Sequence, residues 1–322
     1  MIALRALLSA LSPPGPRGRL SILLLHRVLP HPDLLFPGEM HAATFEQLLQ
    51  FVKSRFNVLP LGEAVTRLQA GSLPARALAI TFDDGYANNF TIALPLLRQY
   101  ELPATVFVST GYLDGRNMWN DVVIESIRNC TLPTLNLASI GLGSHALDSL
   151  ASRQAAVADC IGRIKYWPQR KREDTATAIS ELSGATRSES LMMSPQQVRG
   201  LHGAGMSVGA HTITHPILAS ATPAEATIEI RTGKAELESI IGATVDLFAY
   251  PNGRPDIDYR REHVEMVKSA GFRAAVSTVW GAANARTDVY QLPRFTPWDQ
   301  IGARFELRMA QNLLRPSVGV VT

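Results

Sequence analysis

Leu78-Ala79-Ile80-Thr81-Phe82-Asp83-Asp84-Gly85-Tyr86 is an apolar run that ends abruptly in two adjacent carboxylates and a glycine. From Ala77 to Phe82 it carries no charge and no helical spacing of polar residues, the pattern of a strand buried on both faces. Such strands belong to parallel sheets, and α/β folds place their chemistry at the C-terminal ends of those strands. Gly85 allows a sharp turn beside the two acids. A plain Asp-Gly turn leaves the same trace, so the reading depends on a partner elsewhere in the chain.

That partner is Val208-Gly209-Ala210-His211-Thr212-Ile213-Thr214-His215-Pro216, a second short apolar run that ends at a histidine, with another four residues on. One helical turn after the strand would set both imidazoles on the same side. Two histidines and a carboxylate make a three-ligand site with a position left for water, as a catalytic divalent metal requires. The zinc-peptidase helix motif needs Glu directly after the first histidine, and Thr212 stands there. The general base must then come from elsewhere, and Asp83, the spare carboxylate beside the ligand Asp84, is the candidate.

The 322 residues suffice for one large α/β barrel or two modest domains, and 46% hydrophobic with 18% charged residues is globular composition. A net charge of +3 gives no argument for a nucleic-acid partner. The densest basic run, Arg170-Lys171-Arg172, is followed by Glu173 and Asp174 and reads as a solvated helix face. Cys130 and Cys160 lie far apart, without metal-binding spacing or a disulfide framework, and fit a reducing compartment. In segment 1–19, the apolar stretch Met1–Leu11 is too short to span a bilayer and lacks the charged start and cleavage site of a signal peptide. It reads as an amphipathic helix, ended by Pro13-Pro14-Gly15-Pro16, that packs on the barrel; weak membrane-surface contact is the alternative. A cytoplasmic location follows as the expectation.

Around the two motifs the chain alternates strand and helix. Strands are expected at Ser21–His26, Phe56–Leu59, Ala77–Phe82, Ala104–Ser109, Met206–His211, Val245–Tyr250 and Phe272–Ser277. Helices are expected from a Thr44 cap to Arg55, with Gln47 completing a capping box, and over Gly62–Ala70, Asn89–Tyr100, Ser194–His202, Thr222–Ile241 and Tyr259–Ala270. Seven strands in this rhythm suit an irregular seven-stranded (β/α) barrel, built from residues 20–110 and 190–298. Across 111–189 the rhythm stops. Trp119–Asn129, Ala146–Tyr166 and Glu173–Leu182 read as helices of an insertion that either shapes substrate access or caps the barrel; His145 within it reads as isolated and exposed. A C-terminal helix and tail, 299–322, with the helix over Asp299–Leu314, completes the chain.

Thr81-Phe82-Asp83-Asp84-Gly85 and His211-Thr212-x-x-His215-Pro216, in this order and each at a strand end, resemble the polysaccharide deacetylase family (carbohydrate esterase family 4, the NodB-like homology domain). Phe248-Ala249-Tyr250-Pro251-Asn252-Gly253 is similar to the family's third motif, but Ala249 stands where many members have an arginine that orients the catalytic aspartate. A circularly permuted subgroup of exopolysaccharide and lipopolysaccharide deacetylases carries Phe-Ala-Tyr-Pro there, together with Gln291-Leu292-Pro293-Arg294. Arg294 either supplies the missing charge or is a surface residue after a proline. Many members end the barrel with a Leu-x-His strand whose histidine is the general acid. Here Leu24-Leu25-His26 comes first, and in a closed barrel a first strand can take the place of a last one.

The resemblance implies a metal-dependent hydrolase that removes an N-acetyl group from an amino sugar of a bacterial-type polysaccharide or glycolipid. Asp84, His211 and His215 would hold the divalent metal, zinc by its nitrogen and oxygen ligands. Asp83 would be the base and His26 the acid, with the Tyr86 backbone N–H receiving the oxyanion; Tyr250 and Arg294 would act on the substrate side. The partner would be an N-acetylated glycan or lipid-linked sugar. Rival readings are hydrolysis of another N-acyl or cyclic amide, and a non-catalytic carbohydrate-binding barrel, which would lack one of Asp83, Asp84, His211 and His215.

Overall fold

The computed structural model describes residues 2–185, 190–297, 302–315 and 320–321. Helix α1 (Ile2–Leu11) leads into β1 (Leu20–Leu25); α2 (Ala42–Arg55), the short β2 (Asn57–Val58) and α3 (Leu61–Gln69) precede β3 (Ala77–Phe82). Helix α4 (Leu94–Gln99) leads to β4 (Thr105–Val108). The insertion then holds α5 (Trp119–Asn129), the hairpin β5 (Thr134–Leu137) and β6 (Gly143–Ala146), α6 (Leu150–Ile164) and α7 (Gln169–Ser183). The βα rhythm resumes with α8 (Pro195–Gly203), β7 (Ser207–Ala210), α9 (Pro223–Ile241), β8 (Leu247–Ala249), α10 (Arg261–Ser269) and β9 (Ala274–Val276), and α11 (Ala303–Leu314) follows.

The seven expected strands form one curled sheet in the order β1-β3-β4-β7-β8-β9, with β2 beside the start of β3. Every pairing in it is parallel. Each residue of β1 and β3 is buried, as their charge-free and mainly apolar runs require. Register carries the motifs to one end of the sheet. Leu25 pairs with Phe82, so His26 and Asp83 leave their strands side by side; Phe82 pairs with Val106 and Val106 with Val208, so β7 runs two residues further before it ends at His211, at the same end of the sheet.

Strands β1 and β9 do not pair directly. The extended segment after β9 lies between them: Leu292 donates to Ala275 (2.9 Å) and accepts from Ser277 (2.8 Å), while Phe295 donates to Ile22 (2.7 Å) and accepts from Leu24 (2.9 Å). The gap between first and last strands is thereby bridged by the stretch that holds Arg294. Pro293 has no N–H to give to a ladder, so this stretch forms only single bridges and does not read as a strand.

Several local expectations are corrected. Helix α2 starts at Ala42, because the Thr44 hydroxyl accepts the His41 N–H (3.1 Å) from inside the first turn and is not the cap. The Asn89–Tyr100 helix is a π-helical turn, Asn89–Ala93, followed by α4, whose Pro95 cannot donate to an α ladder. In the insertion, β5 and β6 form a hairpin where a loop and the start of a helix are expected. His145 is half-buried there, its Nε2 3.0 Å from the Leu142 carbonyl oxygen. The insertion has its own core, including Val123, Ile127, Leu135, Leu137 and Ile179, with Phe36 from the loop after β1 packed against it. Helix α1 packs on α11 through buried Leu8. Residues 299–301 of the expected C-terminal helix lie outside the described residues. Among the described residues no helix is long and apolar enough to cross a membrane.

Strand β7 approaches its neighbours closely at Gly209, where a Cβ would stand 2.4 Å from a ring carbon of buried Phe107 and 3.2 Å from the Leu247 carbonyl oxygen. Gly209→Ala is therefore expected to lower stability by about 1–3 kcal/mol, the scale of an overpacked core. Urea denaturation measures it; an unchanged midpoint would mean that the Phe107 ring yields freely.

Candidate active site

Asp83 follows β3 and is buried against Arg294, which reaches it from the bridging segment. The pair is bidentate, with Nη1 to Oδ1 and Nη2 to Oδ2 both 2.7 Å. Arg294 is itself 1% exposed, and its Nε donates to the Ser277 carbonyl (2.8 Å). Burial pushes the Asp83 carboxyl up, but the Arg294 and His211 charges, the Arg294 hydrogen bonds and the His26 charge together hold it below the usual carboxylate range. Of the two roles open to Arg294 from sequence, surface residue is ruled out. It brings a positive charge to Asp83 from the bridging segment after β9 and not from β8, which holds Ala249.

Asp84 turns away from Asp83 because its backbone is left-handed, with φ 75°. Its Oδ1 lies 3.5 Å from Nε2 of His211 and 3.5 Å from Nε2 of His215. The three donor atoms fall within 4.8 Å of one another. Ligands at about 2 Å from a shared tetrahedral ion stand about 3.3 Å apart, so this donor set fits a zinc-sized cation. His211 Nδ1 donates to the Ala249 carbonyl (2.8 Å), which directs Nε2 toward Asp84. His215 is pushed down to about 3, by burial first, so its imidazole is neutral and able to ligate. Asp84 is held well below the carboxylate range despite burial, by its His211 hydrogen bond and the neighbouring histidines.

The histidines do not converge through a helical turn, as the four-residue spacing suggested. They sit on a loop in which Thr212 (φ 66°) and His215 (φ 53°) are both left-handed, a costly conformation for a β-branched threonine. Thr212 Oγ1 accepts the His215 N–H (3.1 Å). Glu229 of α9 accepts the N–H groups of Ile213 (2.8 Å) and Thr214 (2.9 Å) and the Thr214 hydroxyl (2.6 Å). Nothing in the sequence marks Glu229 for this task, since its partners are backbone groups on another element.

These groups open on a cavity of about 830 Å³, lined among others by Asp83, Asp84, His211, His215, Arg294 and His26. His26 is exposed at that wall, at the end of β1 beside Asp83. The Tyr86 backbone N–H, proposed to receive an oxyanion, donates to no acceptor among the described residues. The Tyr86 hydroxyl donates to buried Asp121 of α5, 3.1 Å from both oxygens; burial pushes that carboxyl up to about 7 against the pull of Arg27. Tyr250 is the exception. Its ring is fully buried, stacked on Tyr259 at 4.0 Å, and does not line the cavity. The alternating pattern of β8 turns the ring into the core, so the Tyr250 side chain is a packing group and not a substrate contact.

A family model for polysaccharide deacetylases matches residues 70–275, which span β3 through most of β9 and both motifs. The chain belongs to the polysaccharide deacetylase family. YxkH of Bacillus subtilis (strain 168) is 22% identical over 278 residues, 86% of this chain and 70% of its own length. The poly-β-1,6-N-acetyl-D-glucosamine N-deacetylase of Staphylococcus aureus (strain MSSA476) is 34% identical over 77 residues, 24% of this chain and 27% of its own length. Among solved structures, the Streptococcus pyogenes deacetylase PplD in complex with acetate shares the fold, with TM-score 0.61 and 20% identity over 91% of this chain and 98% of that one. This deacetylase is therefore a family hydrolase acting on N-acetylated polysaccharide, with a metal-competent site at Asp84, His211 and His215.

Removing both imidazoles, as in His211→Ala/His215→Ala, should abolish binding of one divalent cation per chain; full occupancy by elemental analysis would sink the ligand assignment. Arg294→Met should cost about 3–5 kcal/mol, since it strands a buried carboxylate. Folding depresses the Asp83 pKa, so the pair stabilises the protein above the ordinary carboxylate pKa and loses that contribution as pH falls through the folded value. Wild type should therefore lose its advantage over Arg294→Met on acidification; a pH-independent difference in urea midpoints would contradict the ion-pair reading.

Proposed function

We propose that this deacetylase removes N-acetyl groups from the amino sugars of a glycan, free or lipid-linked, with Asp83 as general base and His26 as general acid. The observation that carries the reading is the convergence of Asp84, His211 and His215 within 4.8 Å of one another, beside an ionised Asp83 that ligates nothing. When bound, a divalent cation, zinc by its donor set, polarises the acetyl carbonyl and acidifies water.

The chain's own groups supply the remainder. Arg294 orients Asp83 and keeps it ionised at neutral pH, so the carboxylate is ready to take the proton of the attacking water. The Tyr86 N–H, without an acceptor among the described residues, is available to the developing oxyanion. His26 delivers a proton to the departing amine, which would otherwise leave as an unfavourable anion. Acetate and a free amino sugar result. The relative that acts on poly-β-1,6-N-acetyl-D-glucosamine supports an N-acetylglucosamine-type substrate. Cys130 and Cys160, both buried and free, support a reducing compartment and hence the cytoplasm.

Acetate release from N-acetylated oligosaccharides, with and without chelator, tests the reaction. Asp83→Asn should keep the metal and lose turnover, because it removes only the base. His26→Ala should keep metal and fold while turnover falls by about 10²–10⁴-fold. An N-acyl substrate with an activated leaving group should be much less affected. Undiminished activity in His26→Ala would assign the acid elsewhere.

A further inference from the structure

Arg172 of α7 is 3% exposed and lines the active-site cavity. Its one hydrogen bond among the described residues runs from Nη1 to the Lys165 carbonyl (3.0 Å), and its Nε has no partner. The guanidinium lies over the Trp119 ring, 4.9 Å from the centroid. Lys165, half-buried, lines the same cavity. Neither cation has a carboxylate within ion-pair distance among the described residues: of the nearby acids, Asp258 pairs with Arg254 through Oδ2 (3.1 Å), its Oδ1 having no hydrogen-bond partner, and Glu173 accepts the Gln169 amide (3.1 Å).

A buried charge without a counter-ion is costly, and a second cation beside it adds to the cost. Burial lowers the pKa of both groups, and for Lys165 the charges of Arg254 and Arg172 add to it against the pull of Asp258. Packing on Trp119 does not explain the arrangement, because an apolar side chain would pack there without the charge. Nor does it explain Lys165. The remaining acids on this side face other groups: Asp84 its two histidines, Asp121 the Tyr86 hydroxyl and Asp33 Arg128.

We infer that this insertion wall is an anion subsite, at which Arg172 and Lys165 receive a carboxylate or phosphate group carried by the glycan near the N-acetyl sugar. The inference rests on the deacetylase reading and narrows its substrate to acidic glycans. A guanidinium matches either oxyanion with paired N–H donors, and an adjacent ammonium supplies charge without demanding a fixed geometry. The carboxylate would come from a uronic acid within the chain, the phosphate from the end where a glycan is joined to a carrier.

Calorimetric titration of the zinc-loaded full chain tests this with probes that carry no acetyl group: a tetrasaccharide of glucose and glucuronate, its all-glucose counterpart, and glucose 1-phosphate against glucose. A charged probe should bind about tenfold or more tightly than its neutral counterpart, the scale of one charge-assisted hydrogen bond. Lys165→Gln should erase most of that preference and leave neutral-probe binding and zinc content unchanged. Arg172→Gln should do the same, and Arg172→Lys should restore part of it. Because Arg172→Gln can disturb the insertion core, Lys165→Gln decides the matter. The charged probe that wins identifies the source of the anion. Equal affinity for charged and neutral probes in the wild type overturns the inference. Acetate release from neutral N-acetylglucosamine oligomers is measured in parallel. Turnover there without charge preference removes the anion subsite alone, whereas no acetate from any N-acetylated glycan removes the deacetylase reading and leaves the binding result to judge the subsite.

Discussion

The Asp83–Arg294 pair is the interaction on which site and barrel both depend. A carboxylate 3% exposed is tolerable only with a well-placed counter-charge, and the guanidinium provides two parallel hydrogen bonds to it. Arg294 reaches that position because Gln291–Phe295 lies between β9 and β1, bonded to both. The same five residues therefore bridge the first and last strands of the sheet and bring in the charge that keeps Asp83 ionised. A displacement of this segment would open the sheet and leave the buried Asp83 carboxylate without its counter-charge.

The metal-competent cluster is arranged on a different principle. Asp84, Thr212 and His215 all adopt left-handed backbone, which costs about 1–3 kcal/mol each where the residue is not glycine. The surroundings hold them there. Glu229 fixes the loop from α9, and a Cβ at Gly233 of α9 would stand 3.0 Å from the Thr212 backbone, so helix and loop are in close contact. Like the Ala249 carbonyl that orients His211, these supports act through backbone groups. Side-chain motifs alone thus describe the ligands and not what holds them.

The insertion belongs to the site as much as to the scaffold. It has its own apolar core, yet Trp119, Asp121, Lys165 and Arg172 all line the cavity. The loop after β1 is fastened to it by the Asp33–Arg128 pair (2.7 Å) and by Gln154 donating to the Leu35 carbonyl (2.6 Å). The wall of the cavity away from the strand ends is thereby built as a single unit, on which substrate preference can change without any change to the chemistry below.

The sheet and the candidate metal ligands were legible in the sequence. Ala77–Phe82 and Ser21–Leu25 carry no charge and read as buried parallel strands, and Asp83-Asp84 and His211-x-x-x-His215 mark where β3 and β7 end. Periodicity and composition are local properties, so they are legible without coordinates. What lay beyond them depended on residues distant in sequence. Whether Arg294 was a surface group or the partner of Asp83 turned on closure between β1 and β9, across 211 positions of chain. That Tyr250 packs on Tyr259 while its neighbour Ala249 offers a carbonyl to His211 turned on which way β8 faces. Thr212 and His215 took a left-handed loop in place of a helical turn because Glu229, fourteen or more residues on, holds the loop's N–H groups. Tertiary structure decided each of these, since the free energy that selects them comes from long-range hydrogen bonds and buried charge and not from the propensity of the local chain.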